Sequence, residues 1–306
     1  MLFTKFSEWS TLCFWFETQH ILFCLKLYII KMGRLLPISE FIPLNRLQEE
    51  RYSQVLCYPK HDLKELKRRL KELKRLGVRA VEFTGEKTAF DVPVLGKGCV
   101  GIVVAAHTDR GKVALKVRRV DADRAGMQRE AEMLRRANAL DVGPTLLDAT
   151  ENFLLMEFVG GKLIPQWIET LGGRGTKSRI RRVLRSVLEQ CWRLDEAGLD
   201  HGELSRAPKH IIIDENDFPC LVDFETASVN RRVSNVTSVC QYFFIGSQTA
   251  KMMKRKLGEV DKEGLINTLR NYKQGRTREN FEKILGVCGL DKADCYSCEP
   301  SPSTYQ

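Results

Sequence analysis

Residues 92–120, VPVLGKGCVGIVVAAHTDRGKVALKVRRV, constrain this chain more than any other stretch. Gly96, Gly98 and Gly101 stand in the spacing GxGxxG, with Val103 two positions on. Glycines so placed let a backbone approach phosphate groups without Cβ atoms in the way. A dinucleotide-binding turn with this spacing runs directly into a helix. Here Ile102–Ala106 is β-forming, the turn residues TDRGK follow, and VALKVRRV is a second β-forming run. The pattern predicts a glycine-rich β-hairpin, not a strand-to-helix unit.

The rest of the chain extends that prediction. VRAVEF, before the hairpin, reads as a strand, and a polar helix is expected over about Ala125–Ala139. TLLDAT and NFLLMEFV are short strands, Gly160-Gly161 breaks the chain, and an amphipathic helix runs over about Arg179–Ala197. Beyond residue 228 the pattern is helical. A β-rich first half and a helical second half fit an α+β fold of two lobes around a cleft. The expected divisions are a segment at 32–84, an N-lobe at 85–159, a C-lobe at 160–290 and a polar tail at 291–306.

Lys116, in VALK, is placed to hold the α- and β-phosphates of a nucleotide. Such a lysine needs a carboxylate to orient it, and QREAEMLRR offers Glu130 or Glu132. Glu130 lies four residues before Leu134 and shares its helix face, which favours Glu130. Farther on, residues 198–228 read GLDHGELSRAPKHIIIDENDFPCLVDFETAS.

Taken in order, these motifs resemble the protein-kinase-like superfamily. The form His201-Gly202-Glu203-Leu204-Ser205, and the near-direct passage from Asp223-Phe224-Glu225 into a helix, are closer to its compact atypical members. These are the RIO-like and KEOPS-associated kinases, and in particular an archaeal group of predicted serine/threonine kinases. The resemblance spans about residues 91–228. It implies a bilobal kinase-like fold with a β-rich N-lobe and a reduced helical C-lobe. Gly96, Gly98, Gly101 and Val103 would cover ATP, while Lys116 and Glu130 would hold its phosphates. Met156-Glu157-Phe158-Val159 would be the hinge, with backbone groups of Glu157 and Val159 at the adenine edge. Asp223 would carry Mg²⁺, and Glu203 would orient an acceptor hydroxyl. His201 is expected to brace the catalytic loop.

Several letters depart from the family pattern. Glu203 replaces an aspartate and is one methylene longer, though still able to accept a proton. The position five residues on, where an asparagine would bind metal, is Pro208. Aligning the apolar strand instead places His210 there, either as a ligand that favours Mn²⁺ over Mg²⁺ or as a cap on the strand. Glu225 replaces a glycine and adds a carboxylate beside the metal position, where Arg206 and Lys209 add positive charge. The reading is an ATP-dependent serine/threonine protein kinase-like phosphotransferase. An ATP-binding pseudokinase or slow ATPase, and a small-molecule kinase, are the alternatives.

A net charge of +10 favours anionic partners. Much of it lies in KHDLKELKRRLKELKRLG, residues 60–77, where Leu63, Leu66, Leu70, Leu73 and Leu76 form a helical stripe with basic flanks. That helix either packs its leucines on the domain or engages an acidic or RNA partner. Ten scattered cysteines, without a disulfide-like rhythm, suggest a reducing cytoplasm. Cys295 and Cys298 form a lone CxxC, with Cys288 upstream, short of the four ligands of a structural zinc site. No apolar run reaches the roughly 18 residues needed to span a bilayer. Residues 1–31 are expected to be a spurious or flexible extension ahead of a start at Met32, with a membrane-surface anchor as the alternative.

Overall fold

A seven-stranded antiparallel sheet dominates the first half of the computed structural model, which describes residues 39–291, and helices dominate the second. The expected extension at 1–31, and Cys295 and Cys298, lie outside the described residues. The strands of the first half are β1 (Glu40–Pro43), β2 (Ala80–Phe83), β3 (Lys87–Ala89), β4 (Val92–Val94), β5 (Gly96–Lys97), β6 (Gly101–Thr108), β7 (Gly111–Arg118), β8 (Leu146–Ala149) and β9 (Phe153–Glu157). The main sheet runs β1-β2-β6-β7-β9-β8, with β5 paired to β6 and β3–β4 a separate hairpin. Because β1 and β2 join this sheet, the boundary drawn at residue 85 falls inside one structural unit.

Side chains alternate across a strand, and this sheet uses its two faces differently. Ile102, Val104, Leu115, Val117, Phe153 and Leu155 are buried on one face. They pack against helices α1 (Glu50–Leu56) and α2 (Leu63–Arg75) through Val55, Leu56, Leu66 and Leu73. On the other face the register aligns Val103, Lys116 and Leu154. There Leu154 packs with Met127 and Ala131 of helix α3 (Arg124–Asn138). The same alternation that forms the core thus delivers Lys116 to the α3 side.

Helix α2 starts where the Asp62 carboxylate accepts from the Glu65 N–H at 2.8 Å. It stops at Gly77, whose φ of +72° suits glycine, with Val78 N–H donating to the Leu73 carbonyl at 3.0 Å. Its leucine stripe faces inward except Leu63, which is exposed, and Leu70, which is half-buried. Arg69, one of the basic residues flanking the stripe, is fully buried. Its guanidinium donates to the Leu56 carbonyl, to the Arg118 carbonyl at 2.6 Å and to Glu65 at 2.9 Å. Burial of the charge is tolerated because each donor has a partner.

The second half contains α4 (Ile164–Thr170), α5 (Thr176–Glu196), α6 (Asn235–Cys240), α7 (Gln248–Leu257), α8 (Lys262–Gln274) and α9 (Arg278–Val287). Ile180, Val183, Leu184, Val187, Leu188 and Cys191 of α5 are spaced three or four apart and form the axis of its core. A small sheet of β10 (Lys162–Leu163), β11 (Ile211–Ile213) and β12 (Pro219–Leu221) lies beside α5. The architecture is α+β, with a β-rich part followed by a helical part in the manner of a bilobal kinase-like fold. Among the described residues no helix is long and apolar enough to cross a membrane.

Candidate functional site

Lys116 is the centre of the site. Its Nζ donates to Glu130 Oε1 at 2.8 Å, Asp223 Oδ1 at 3.0 Å and Glu225 Oε2 at 3.1 Å. Lys116 and Glu130 are both buried, whereas Asp223 and Glu225 are partly open to solvent. Glu132, the other carboxylate considered, turns outward and pairs with Arg136. Burial alone would lower the Lys116 ammonium, but the three carboxylates, Glu130 foremost, outweigh it and hold the group well above its ordinary value. Burial likewise works against the Asp223 carboxylate, and Lys116 overcomes it, holding Asp223 below its ordinary value.

The glycine-rich hairpin forms as the residue spacing predicts, and its glycines are not equivalent. A Cβ on Gly101 would meet the Val117 carbonyl at 3.0 Å and Lys116 Cγ at 3.1 Å, so this glycine gives the lysine stem its space. Gly96 and Gly98 have only ordinary neighbours, at 3.5 Å or more, and the hairpin closes with Gly98 N–H donating to the Gly101 carbonyl at 2.8 Å. Val103 stands directly across from Lys116 in the sheet. Glu157 ends β9, and its carboxylate accepts from the Thr145 hydroxyl at 2.9 Å. Val159 is half-buried in the link between β9 and β10.

His210 is positioned by the β11–β12 hairpin, where Val222 N–H donates to the His210 carbonyl at 3.0 Å. That pairing sets the imidazole next to Asp223. His210 Nε2 lies 3.1 Å from Glu203 Oε2, and Nδ1 lies 3.9 Å from Asp223 Oδ2. The buried Nδ1 has no hydrogen-bond partner among the described residues. The two additional residues in SRAPK are taken up by a 3-10 segment, Leu204–Lys209, broken at Arg206. His210 therefore caps the strand and also stands between the two acids.

Oxygen donors of Glu130, Asp223 and Glu225 lie within 4.8 Å of one another. Three carboxylates suit a hard divalent ion such as Mg²⁺, although Glu130 is already committed to Lys116. Asp223 and Glu225 are the oxygen donors whose chemistry fits such an ion, whereas the imidazole Nδ1 of His210, 3.9 Å from Asp223, suits Mn²⁺ better than Mg²⁺. Asp223 itself adopts φ of +71°, a left-handed conformation uncommon for a non-glycine residue and often found at functional sites.

The loop carrying Glu203 is braced from below by residues that the motifs do not reveal. Asn235 donates to Asp195 Oδ1 and to the Leu199 carbonyl, both at 2.8 Å, and accepts from His201 N–H at 2.9 Å. Asp200 accepts from Arg231 Nε at 2.6 Å and Ser234 N–H at 2.9 Å, which pins the short segment after Glu225. Gly202 has φ of +90°, and a Cβ there would run into Thr226 and Arg231. A polar residue on the inner face of an amphipathic helix, such as Asp195, is the one sequence signal for this brace.

His201 is fully buried, with Nε2 3.2 Å from the Val222 carbonyl and its ring 4.8 Å from that of Phe224. Desolvation of its charged form lowers it from 6.5 to about 4. Between these values the unfolded chain binds a proton that the folded chain does not. Stability therefore rises with pH across this window, and the penalty accumulates as pH falls from about 6.5 to about 4. The difference is worth about 3 kcal/mol. Thermal unfolding at pH 7.5 and at pH 4.5 should show a fall in Tm that is smaller in His201→Gln by roughly 5–10 °C. Equal falls in both proteins would show that His201 does not titrate this way.

Residues 104–235 match the RIO domain, an atypical protein kinase-like family. Over that stretch, less than half of its length, the chain is similar to the RIO domain. The matched stretch runs from β6 to the start of α6, so it contains Lys116, Glu130, Glu203 and Asp223 but begins after Gly96, Gly98 and Gly101. An uncharacterized protein of Methanocaldococcus jannaschii is 24% identical over 102 residues, covering 33% of this chain and 83% of that protein. The RIO-like region is therefore the part of the chain that places the lysine and all of its carboxylate partners.

Proposed function

We propose that this RIO-like protein is an ATP-dependent phosphotransferase of serine/threonine-kinase type, using Mg²⁺ or Mn²⁺. The observation that carries this reading is the convergence of Glu130, Asp223 and Glu225 on Lys116, beside the hairpin that carries Gly101. In this role Lys116 would hold the α- and β-phosphates. Gly96, Gly98 and Val103 would lie over the nucleotide, and the backbone at Glu157 and Val159 would meet the adenine. Asp223 would hold the metal, with Glu225 and His210 as further donors. The ion supplies charge neutralisation for the transferring phosphoryl group.

Glu203 is assigned to the acceptor hydroxyl, with His210 setting its orientation. General-base assistance is typically worth about 10²–10⁴-fold. Glu203→Gln should lower phosphate transfer from γ-labelled ATP by that range while leaving nucleotide binding intact. Unchanged transfer in Glu203→Gln, or equal transfer in Lys116→Ala, would remove the assignment. A second reading, an ATP-binding switch with little turnover, is favoured by the close approach of Glu203 to His210. It predicts nucleotide binding without transfer in the wild-type protein. The pinned segment after Glu225 leaves little chain for docking a peptide, which also keeps a small-molecule acceptor in view.

A further inference from the structure

The segment 60–77 carries eight lysines and arginines against three acidic residues, half of the net charge of +10. In sequence the acids look interspersed with the bases, as on an ordinary solvated helix. The fold separates them. Asp62 is spent on the N-cap of α2. Glu65 turns toward Arg69 and Arg118. Glu72 accepts from the Thr150 hydroxyl and from Asn152, both at 2.7 Å.

What remains outward is a single-sign surface. Lys64, Lys67, Lys71, Lys74 and Arg75 are all exposed, and none is ion-paired among the described residues. At 3.6 residues per turn they fall within an arc of about 100° and extend over about 15 Å. The N-terminal end of this stripe leads into a depression of mixed charge, where Lys60, His61, Arg68 and Arg124 stand beside Asp62 and Glu65, and Arg68 and Arg124 are paired with Glu65 and Glu151.

From this we infer that the outer face of α2 binds the phosphodiester backbone of a nucleic acid. The choice over an acidic protein rests on what the stripe lacks. Leu66, Leu73 and Leu76 are buried against the sheet, and Leu63, at the first turn, is the one exposed leucine of the helix, so the charges are accompanied by a single apolar side chain and not by an apolar patch. Protein interfaces draw most of their energy from such patches. Binding of a phosphate polymer needs only a row of cations that release its counterions. Lysines are hydrated point charges without the forked geometry that reads base edges, so recognition is of the backbone and not of sequence.

Fluorescence anisotropy with the full chain tests this, using a uridine oligomer, a DNA duplex and polyglutamate between about 50 and about 200 mM salt. Five phosphate contacts on a single strand give a slope of about −3.5 in log K against log salt. Changing Lys64, Lys67, Lys71 and Lys74 together to Gln should flatten the slope by about 3 and weaken binding at low salt at least about tenfold. Changing the same four to Arg should preserve binding, and Tm should not move in either variant. Tighter binding of the RNA or of the DNA identifies the source, and either supports the site. Absence of nucleic-acid binding at low salt, undiminished binding by the Gln variant, or polyglutamate bound as tightly as RNA would overturn it. The stripe is separate from Lys116, so these outcomes do not depend on phosphate transfer.

Discussion

Lys116→Met is expected to destabilise the protein by about 3–5 kcal/mol, beyond any loss of activity. Glu130 is buried at 2% exposure, and Lys116 is the cation that compensates its charge. Removing one partner of a buried pair leaves the other charged and desolvated, which costs more than the pair contributes. Methionine keeps the unbranched stem that packs beside Gly101, so the measured loss reports charge and not a cavity. Asp223 and Glu225 lose a partner too, but each retains contact with water. The double variant Lys116→Met/Glu130→Met should recover most of the stability, because replacing both partners by apolar groups is close to neutral. Urea unfolding of the two single variants and the double gives the coupling directly. A loss under about 1 kcal/mol in Lys116→Met, or strictly additive effects, would show that Lys116 and Glu130 do not act as a coupled buried pair.

Asp223→Asn is expected to lower phosphate transfer by about a thousandfold or more while leaving the fold intact. The substitution keeps shape and removes one negative charge. Lys116 retains Glu130 and Glu225, so the stability change should be small. Under the proposed function the substitution removes the principal oxygen donor for a divalent ion, and metal stabilisation of a transferring phosphoryl group is worth several kcal/mol. At about 1.4 kcal/mol per factor of ten, about 4 kcal/mol corresponds to a thousandfold. Titration of Mn²⁺ into the ATP-loaded protein gives a second readout, in which Asp223→Asn should bind the metal more weakly. Wild-type turnover in Asp223→Asn would exclude Asp223 as the metal ligand.

The departures that set this chain apart from the kinase pattern gain a common explanation from the geometry. His210 lies between Glu203 and Asp223, within 4 Å of both. Glu225 approaches the same lysine as Asp223. Under the proposed function, an imidazole and an extra carboxylate would take the places of the asparagine and the glycine expected from the kinase pattern, with Asp223 and Glu225 as the oxygen donors for a cation.

Much of this was legible from local pattern. Strand alternation and the turn residues 108–112 predict the hairpin β6–β7 and put Lys116 in it. Four-residue spacing on α3 singles out Glu130 over Glu132, because a helix places positions four apart on one face. The leucine periodicity of α2 predicts which side packs inward. These features repeat every two or 3.6 residues, so a short window of sequence contains them in full.

Other features depend on contacts that no short window contains. Lys116 and Asp223 are 107 positions apart, and Glu225 reaches the same nitrogen only because the two halves of the molecule close on it. The buried Arg69 and the inward turn of Glu65 and Glu72 follow from carbonyls and amides on other elements, which convert a mixed-charge helix into a lysine face. The sequence by itself determined the β6–β7 hairpin, the helices α2, α3 and α5, the lysine, its helical carboxylate and the candidate acids. The tertiary structure alone decided that His210 lies between Glu203 and Asp223 and that three carboxylates share one ammonium. The physical reason is that those distances are set by the packing of separate elements, and local backbone preference carries no information about them.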